Sequence, residues 1–442
     1  MGKIEMRKLW LRALVALVVL TLGIWVATRW KVWFYNPAEP PYEVVEAPSR
    51  VLLTFGNEGE LSRYVSWMAG TEVDASACLL LVEHADVLPQ DVALTDAEAL
   101  PQDADLIKND TLRIEAIGEV FESRSGHAAY YRAHLKALQP DCAYSYAVEA
   151  NGERSPWYSF RTSDPASQAF SFLYMGDVQD SIGGIANQLL RKAVQRHPEV
   201  EFVAFGGDLT ERPMDKYWAE TFRTLDSVCT TLPVLNVTGN HDYLKYLIRR
   251  CERRFALTFP YFLLGMAERQ DQNHLFHFAY HGTHFYMLDS DRGVGFLWQQ
   301  RQWLEQELAL SPEARHRIAL LHHPLYSVKR KNNNLEVRWM FNGLLREAGV
   351  ELVLQGHEHA YTHCTSSDEP LQGSDCTQPP LYVVSHCSPK NYRIHPIQRF
   401  WPVHNDSRYY QVVNVDAEAV TLRAYDACTQ ALLDSVRIAN KR

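Results

Sequence analysis

Residues able to hold a metal stand at the ends of successive apolar runs. Phe170–Met175 runs into Gly176-Asp177, Glu201–Phe205 into Gly206-Gly207-Asp208, and Pro233–Val237 into Thr238-Gly239-Asn240-His241-Asp242. Further on, Thr283–Leu288 ends at Asp289, Arg317–Leu321 at His322-His323-Pro324, and Glu351–Leu354 at Gln355-Gly356-His357-Glu358-His359. Asp177, Asp208, Asn240, His322, His357 and His359 offer carboxylate, amide and imidazole donors, a mixture suited to ions such as Zn²⁺, Mn²⁺ or Fe. One carboxylate can bridge two ions ~3.5–4 Å apart, the arrangement used to hydrolyse phosphate esters. Glycines beside Asp177, Asp208, Asn240 and His357 let the backbone turn sharply and leave room for metal and substrate. Taken singly, each element has an ordinary reading: Gly-Asp as a turn or helix cap, Asn-His-Asp as a capped turn, His322 as a half-buried histidine. Gly356-His357-Glu358-His359 is sharper, because alternate histidines leaving a strand can serve a metal. The recurrence of donors at successive strand ends, in chain order, is what points to a metal pair.

Helical stretches separate several of these runs: Ile185–His197, Asp215–Val228, Gln299–Leu310 and Glu336–Ala348. The alternation predicts an α/β domain, a sheet sandwich flanked by helices. In such sheets ligands bind outside the carboxyl ends of the strands, where these polar residues gather.

The order Asp, Gly-Asp, Gly-Asn-His-Asp, His, Gly-x-His-x-His resembles that of the calcineurin-like metallophosphoesterases, over residues 169–427. Within that superfamily the chain is most similar to the purple acid phosphatases, which carry a fibronectin-type-III-like sandwich before the catalytic domain; Tyr130–Thr162 resembles its closing strands. The resemblance implies that Asp208 bridges two metals, that Asp177 and His359 hold the first, and that Asn240, His322 and His357 hold the second. It implies that Asn240 and His241 meet the scissile phosphate, with His241 the acid that protonates the leaving oxygen. His322 takes the ligand position before a variable residue and proline, which leaves His323 as a neighbour on the substrate side. A metal-bridging hydroxide would attack phosphorus.

Three positions depart from the pattern. The purple acid phosphatases have a Tyr ligand three residues after the bridging Asp; here that position is Glu211, so the Tyr–Fe(III) chromophore should be missing. Other phosphoesterases have Asp-x-His at the first motif; here Gln179 follows, as a weak ligand, the holder of a water ligand or a helix cap. Histidines expected shortly after the His-x-Pro motif are replaced by Lys329-Arg330-Lys331, either a solvated loop or a binding site for an anionic part of the substrate.

Ahead of the α/β region, from residue 42 to 163, the pattern is strand-like. Candidate strands are Arg50–Phe55, Tyr64–Ala69, Ala77–Glu83, Leu112–Phe121, Ala129–Leu138, Tyr144–Ala150 and Trp157–Arg161. Ala129, Tyr131, Ala133 and Leu135 share one face; so do Tyr144, Tyr146, Val148 and Ala150. Short alternating strands with turn signals at Gln139-Pro140-Asp141 and Asn151-Gly152 predict an all-β sandwich. The acidic stretch Asp91–Asp105 reads as a loop. Asn36-Pro37-Ala38-Glu39-Pro40-Pro41 reads as a stiff spacer before the sandwich, and residues 428–442 as a C-terminal tail.

At the N-terminus, in residues 1–35, Lys3, Arg7, Lys8 and Arg12 precede an uncharged run from Ala13 to Thr28. This predicts one transmembrane signal anchor, extended by Leu9, Trp10 and Leu11 if Arg12 snorkels. The excess of basic residues before the run places the N-terminus in the cytoplasm and the catalytic domain outside it, in a periplasmic or extracellular space. A cleaved signal is the alternative.

Composition sets the remaining bounds. The 442 residues are 46% hydrophobic and 22% charged, too apolar for a disordered chain. Lys and Arg number 44 against 53 Asp and Glu, a net charge of −9, so no nucleic-acid partner is expected. Eight cysteines lie far apart without a Cys-x-x-Cys; one pair among Cys364, Cys376 and Cys387 could be bridged in an oxidising compartment, or all could be reduced. The expected activity is hydrolysis of phosphate esters, foremost monoesters, at two divalent or trivalent ions (Fe, Zn or Mn). The alternatives are a diesterase or pyrophosphate-bond hydrolase on the same site, or a non-catalytic envelope binding module with a degenerate metal site. The sequence leaves the oligomeric state open.

Overall fold

The computed structural model describes residues 3–56, 58–84, 111–225, 227–246, 248–261, 273–329, 334–371, 373–395 and 397–440. The acidic stretch Asp91–Asp105 and the basic residues Arg330 and Lys331 lie outside them. The chain divides into a small unit, Met1–Ala38 with Leu244–Arg250, and a large one, Glu39–Tyr243 with Cys251–Arg442.

The small unit is dominated by one helix, Lys3–Phe34. Within it Met6–Lys31 contains an 18-residue window with a mean hydropathy of 2.2, and none of that window is buried. Its 26 residues extend about 39 Å, enough to cross a hydrocarbon core of ~30 Å. The Thr21 hydroxyl donates to the Leu17 and Val18 carbonyls at 2.9 Å, which satisfies a polar group along the apolar run. Past the helix, Asn36 exchanges side-chain hydrogen bonds with the main chain of Lys245, at 2.8 and 2.7 Å.

The large unit begins with two antiparallel sheets. The first has the strand order Ser49–Phe55, Arg63–Met68, His127–Leu135, Ile117–Glu122; the second runs Leu112–Glu115, Cys78–His84, Ala143–Ala150, Glu153–Arg154, with Tyr158–Arg161 also paired to Ala143–Ala150. Their facing side chains form one core. Val65, Trp67, Ala129, Tyr131, Ala133 and Leu135 come from the first sheet, and Leu79, Leu81, Tyr144, Tyr146, Val148 and Phe160 from the second. The predicted faces of the two best-patterned strands are therefore the buried ones. Leu112–Phe121 is not one strand. Leu112–Glu115 pairs with Cys78–His84, and Ile117–Glu122 crosses to pair with His127–Leu135. Both pieces are mostly exposed edges, so one continuous β-prone segment serves two sheets.

Next comes a second pair of sheets with helices. One has the order Val234–Asn236, Val200–Phe205, Phe170–Met175, Tyr409–Val415, Ala419–Asp426, Leu432–Ala439; the other runs Phe276–Tyr280, Thr283–Met287, His316–Leu321, Leu352–Gln355, Leu381–Val384, Tyr361–Cys364, Val403–His404. The first three strands of the first sheet are parallel, as are Thr283–Met287, His316–Leu321, Leu352–Gln355 and Leu381–Val384 in the second. A large apolar cluster joins the sheets through Phe172, Phe202, Val203, Phe285, Ile318, Leu320, Leu352 and Leu381. Helices Val294–Leu310 and Leu335–Glu347 cover the outer face of the second sheet, where Leu297, Leu304, Val337 and Phe341 meet Tyr286, Ala319, Leu321 and Val353.

Two further sequence expectations change. Residues 428–442 are more than a tail, because Leu432–Ala439 forms the outer strand of the first sheet, antiparallel to Ala419–Asp426. Its half-exposed, weakly apolar pattern resembles a loop until a partner strand is beside it. The proline-rich joint is no free spacer either. Glu39 is buried and its carboxylate accepts from Arg254 at 2.6 Å and from the Asp215 main-chain N–H at 2.8 Å. Phe55 and Leu52 of the β-sandwich enter the apolar cluster of the α/β region, so the two share packing as well as chain.

Candidate metal centre

Each predicted donor stands where a parallel strand gives way to a loop. Asp177, Asp208 and His357 have φ of +42°, +52° and +68°, a left-handed backbone that turns the chain back over the strand ends. Two glycines make the approach possible. A Cβ on Gly239 would lie 2.2 Å from the Asp208 amide nitrogen, and one on Gly356 would lie 2.3 Å from an Asp177 carboxylate oxygen. Asn240, His241 and Asp242 form a single 3-10 turn. The Asp242 carboxylate accepts the Gly239 N–H at 2.8 Å, so in Gly-Asn-His-Asp the last residue caps the turn that aims the first two side chains.

The donors converge in two groups. His359 Nε2 is 3.6 Å from Asp177 Oδ1. Asn240 Oδ1 is 2.8 Å from His357 Nδ1 and 3.4 Å from His322 Nε2. Asp208 lies between them, with Oδ2 3.3 Å from His322 Nε2. Ligand atoms of Asp177, Asp208 and His322 all lie within 4.8 Å of one another, and all three residues are buried. The Asp177 Oδ1 atom is buried without a hydrogen-bond partner. A buried carboxylate oxygen left unpaired is costly unless a cation meets it.

The hydrogen bonds set the ring tautomers. A carbonyl can only accept, so His322 Nδ1 carries a proton for Gly206 O at 2.8 Å and His359 Nδ1 carries one for Lys390 O at 2.5 Å. Both rings therefore present Nε2 to the interior, the arrangement of metal-binding histidines. His241 Nδ1 likewise donates to Glu211 O, and its Nε2 faces Asp208 Oδ2 at 3.8 Å. Its main-chain N–H donates to Asp208 Oδ1 at 2.8 Å. His241 is the more accessible partner, with its side chain 27% exposed against 3% for Asp208.

Charge is concentrated here. Burial pushes Asp208 up, but the cationic forms of His322 and His241 outweigh it and hold the carboxyl below its usual range. Burial disfavours protonated His322, yet Asp208 and Asp177 raise its affinity for a proton well above normal. A proton held between carboxylates occupies ground a metal ion would take, and metal binding would release it. Burial and the neighbouring His323 and His322 keep His357 neutral. Asp242 is pushed up to about 7 by burial and then by the charge of Asp208.

The remaining candidates sit beside these groups. Gln179 is buried; with its amide turned so that the nitrogen donates, it reaches the main-chain carbonyls of Asp208 at 2.9 Å and Asp177 at 3.3 Å. It braces the two acidic loops against each other. His323 packs on His357, with ring centroids 4.3 Å apart, and its Nδ1 is 3.1 Å from Ser290 Oγ. Glu211 forms an ion pair with Lys390, at 3.0 and 3.2 Å.

Sequence reasoning missed three neighbours. His359 is sandwiched between His386, at 4.9 Å and 13°, and Tyr392, at 4.1 Å and 21°. Lys390 supplies the carbonyl that fixes its tautomer. A signal was present for His386: Leu381–Val384 is another apolar run ending in polar residues, Ser385-His386, and it aligns beside Leu352–Gln355. Tyr392 and Lys390 lie in an irregular stretch with no such mark.

Two known domain families match regions of the large unit. The calcineurin-like phosphoesterase family matches residues 170–361, and the purple acid phosphatase N-terminal domain family matches residues 48–162. "Probable purple acid phosphatase 20" of Arabidopsis thaliana is 25% identical over 236 residues, covering 51% of this chain and 53% of that protein. "Purple acid phosphatase 22" of the same plant is 26% identical over 242 residues, covering 52% of each. The chain thus spans about half the length of these curated relatives. Among solved structures, purple acid phosphatase PPD1 from yellow lupin (Lupinus luteus) seeds superposes with a TM-score of 0.69 at 15% identity, over 89% of this chain and 74% of that one. PhoD superposes with a TM-score of 0.56 at 12% identity, over 90% of this chain and 93% of that one. At such identities the structural likeness speaks for the fold. The chain joins a purple acid phosphatase N-terminal domain to a calcineurin-like phosphoesterase domain, and its homologues are purple acid phosphatases.

Proposed function

We propose that this chain hydrolyses phosphate esters, foremost monoesters, at a pair of metal ions drawn from Fe, Zn and Mn. The observation that carries the reading is the buried cluster of Asp177, Asp208 and His322, with an Asp177 oxygen that has no hydrogen-bond partner. Asp177 and His359 would hold one ion; Asn240, His322 and His357 the other; Asp208 both. Such a pair offsets the charge of the phosphate and provides a strong nucleophile from water near neutral pH. The protein side chains do the rest. Gln179 serves as a brace between the acidic loops. Asn240 and His241 line the accessible side of the centre, where a phosphoryl oxygen would bind. His241 donates a proton to the departing oxygen from Nε2, because its Nδ1–H is committed to Glu211 O. His323 steadies His357 and borders the substrate. The helix Lys3–Phe34 holds the protein to a membrane with the catalytic domain on the extracytoplasmic side.

The test uses the full chain in detergent, stripped of metal and reloaded with each ion in turn. Turnover of 4-nitrophenyl phosphate exceeding that of bis(4-nitrophenyl) phosphate, with two metals bound per chain, is expected. The reverse preference would make the protein a diesterase. Two metals with no turnover of either ester would overturn the enzymatic reading.

A further inference from the structure

Glu358 separates the two histidines of Gly356-His357-Glu358-His359, and its carboxylate faces a different loop. It accepts the main-chain N–H groups of Val328 and Lys329, the latter at 2.9 Å, and the hydroxyl of Ser327. The main chain of Lys329 is thereby tied to the loop that carries His357 and His359. Its other end is fixed as well. The Lys329 Nζ lies 4.1 Å from the centroid of the Tyr392 ring, and Tyr392 stacks on His359. Ammonium, phenol ring and imidazole form a column that ends at the metal centre.

A ring face attracts a cation without neutralising it. Lys390 nearby has Glu211 as a counter-ion, but among the described residues no carboxylate pairs with the Lys329 Nζ. The residue is half-buried. In a chain of net charge −9, a cation held at this place without an ion-pair contact among the described residues is a local reversal of sign.

We propose that Lys329 is a specificity-determining residue that binds a second negative charge on the substrate, apart from the phosphate being hydrolysed. The favoured substrates are phosphate esters whose alcohol part carries a further phosphate or carboxylate. This rests on the reading of the site as a phosphoesterase centre and narrows its substrate class. The metal pair and His241 act on the scissile group; Lys329 reads what is attached to it.

Two matched pairs of substrates test the assignment on the full chain: glycerol 3-phosphate against 3-phosphoglycerate, and glucose 6-phosphate against glucose 1,6-bisphosphate. The wild type should prefer the member with the extra anion. In Lys329→Met, kcat/KM for that member should fall about tenfold or more in at least one pair, the worth of one charge-assisted contact. The uncharged-tail member should stay within about twofold. Lys329→Arg should retain the preference. Equal losses for both members of both pairs, or no loss, would overturn the proposal: Lys329 would then serve the scissile phosphate or only the Tyr392 stack. Absence of turnover of all four esters and of 4-nitrophenyl phosphate by the wild type would instead count against the phosphoesterase reading itself. An unchanged melting temperature and metal content in Lys329→Met would show that the loss is not a loss of fold or centre.

Discussion

Asp208 has two oxygens with different duties. Oδ1 accepts the His241 N–H at 2.8 Å, and Oδ2 faces His322 Nε2 at 3.3 Å. An asparagine could keep the first contact through its own oxygen, so Asp208→Asn should fold. It would lose the negative charge that lets two cations sit close together. Two unit charges 4 Å apart repel by about 4 kcal/mol at an effective dielectric of 20, and two dications about fourfold more. We therefore expect Asp208→Asn to lose one metal and nearly all turnover, measured by elemental analysis alongside kinetics. Retention of two metals and near-normal turnover would remove Asp208 from the bridging position. His241→Asn is the contrast: both metals stay, and turnover falls by about 10²–10⁴-fold, most for poor leaving groups. At this scale the candidate donor set was legible because each of its residues follows an apolar run. Tyr392 and Lys390 were not legible, because they reach the centre from an irregular segment whose path depends on packing.

The strand Leu432–Ala439 is fastened to the second sheet by a side chain the sequence did not single out. Asp434 accepts from the Tyr361 hydroxyl at 2.7 Å and pairs with His363 Nε2 at 3.0 Å. Burial pushes its carboxyl up, but the hydrogen bond and charge of His363, with the Tyr361 hydroxyl, prevail and hold it below the usual value of 3.8. The unfolded chain then takes up a proton at higher pH than the folded one. The stabilisation from Asp434 is complete above about pH 4 and is lost as pH falls below it toward the depressed folded value. Asp434→Asn should thus lower the melting temperature at pH 6 while flattening its decline in acid, as thermal unfolding across pH 2–6 would record. An identical acid limb in the variant and the wild type would assign the sensitivity to other carboxylates.

At the scale of the whole molecule, Met6–Lys31 is long and apolar enough to cross a membrane. Reporter fusions placed after residue 40 should be active only outside the cytoplasm, as the basic residues before the span require. Activity confined to a cytoplasmic reporter would reverse the orientation, and a mature N-terminus near residue 30 would convert the anchor to a cleaved signal. Cys364 and Cys387 are buried free thiols.

The order of elements, the two strand faces that form the sandwich core and the candidate metal donors follow from the sequence itself. Each is written in local pattern: the period of apolar residues, the polar residues at a strand's end, the glycines that permit a sharp turn. What only the tertiary structure decided are relations between segments far apart in the chain. Leu112–Phe121 divides between two sheets because both offer it an edge. Leu432–Ala439 becomes a strand because Ala419–Asp426 lies beside it. Glu39 leaves a proline-rich joint to neutralise Arg254, more than two hundred residues away. Lys329 gains a fixed position through Glu358 and Tyr392, neither of which is its sequence neighbour. Such pairings are chosen by burial and charge compensation in the assembled fold, and no window of sequence contains both partners.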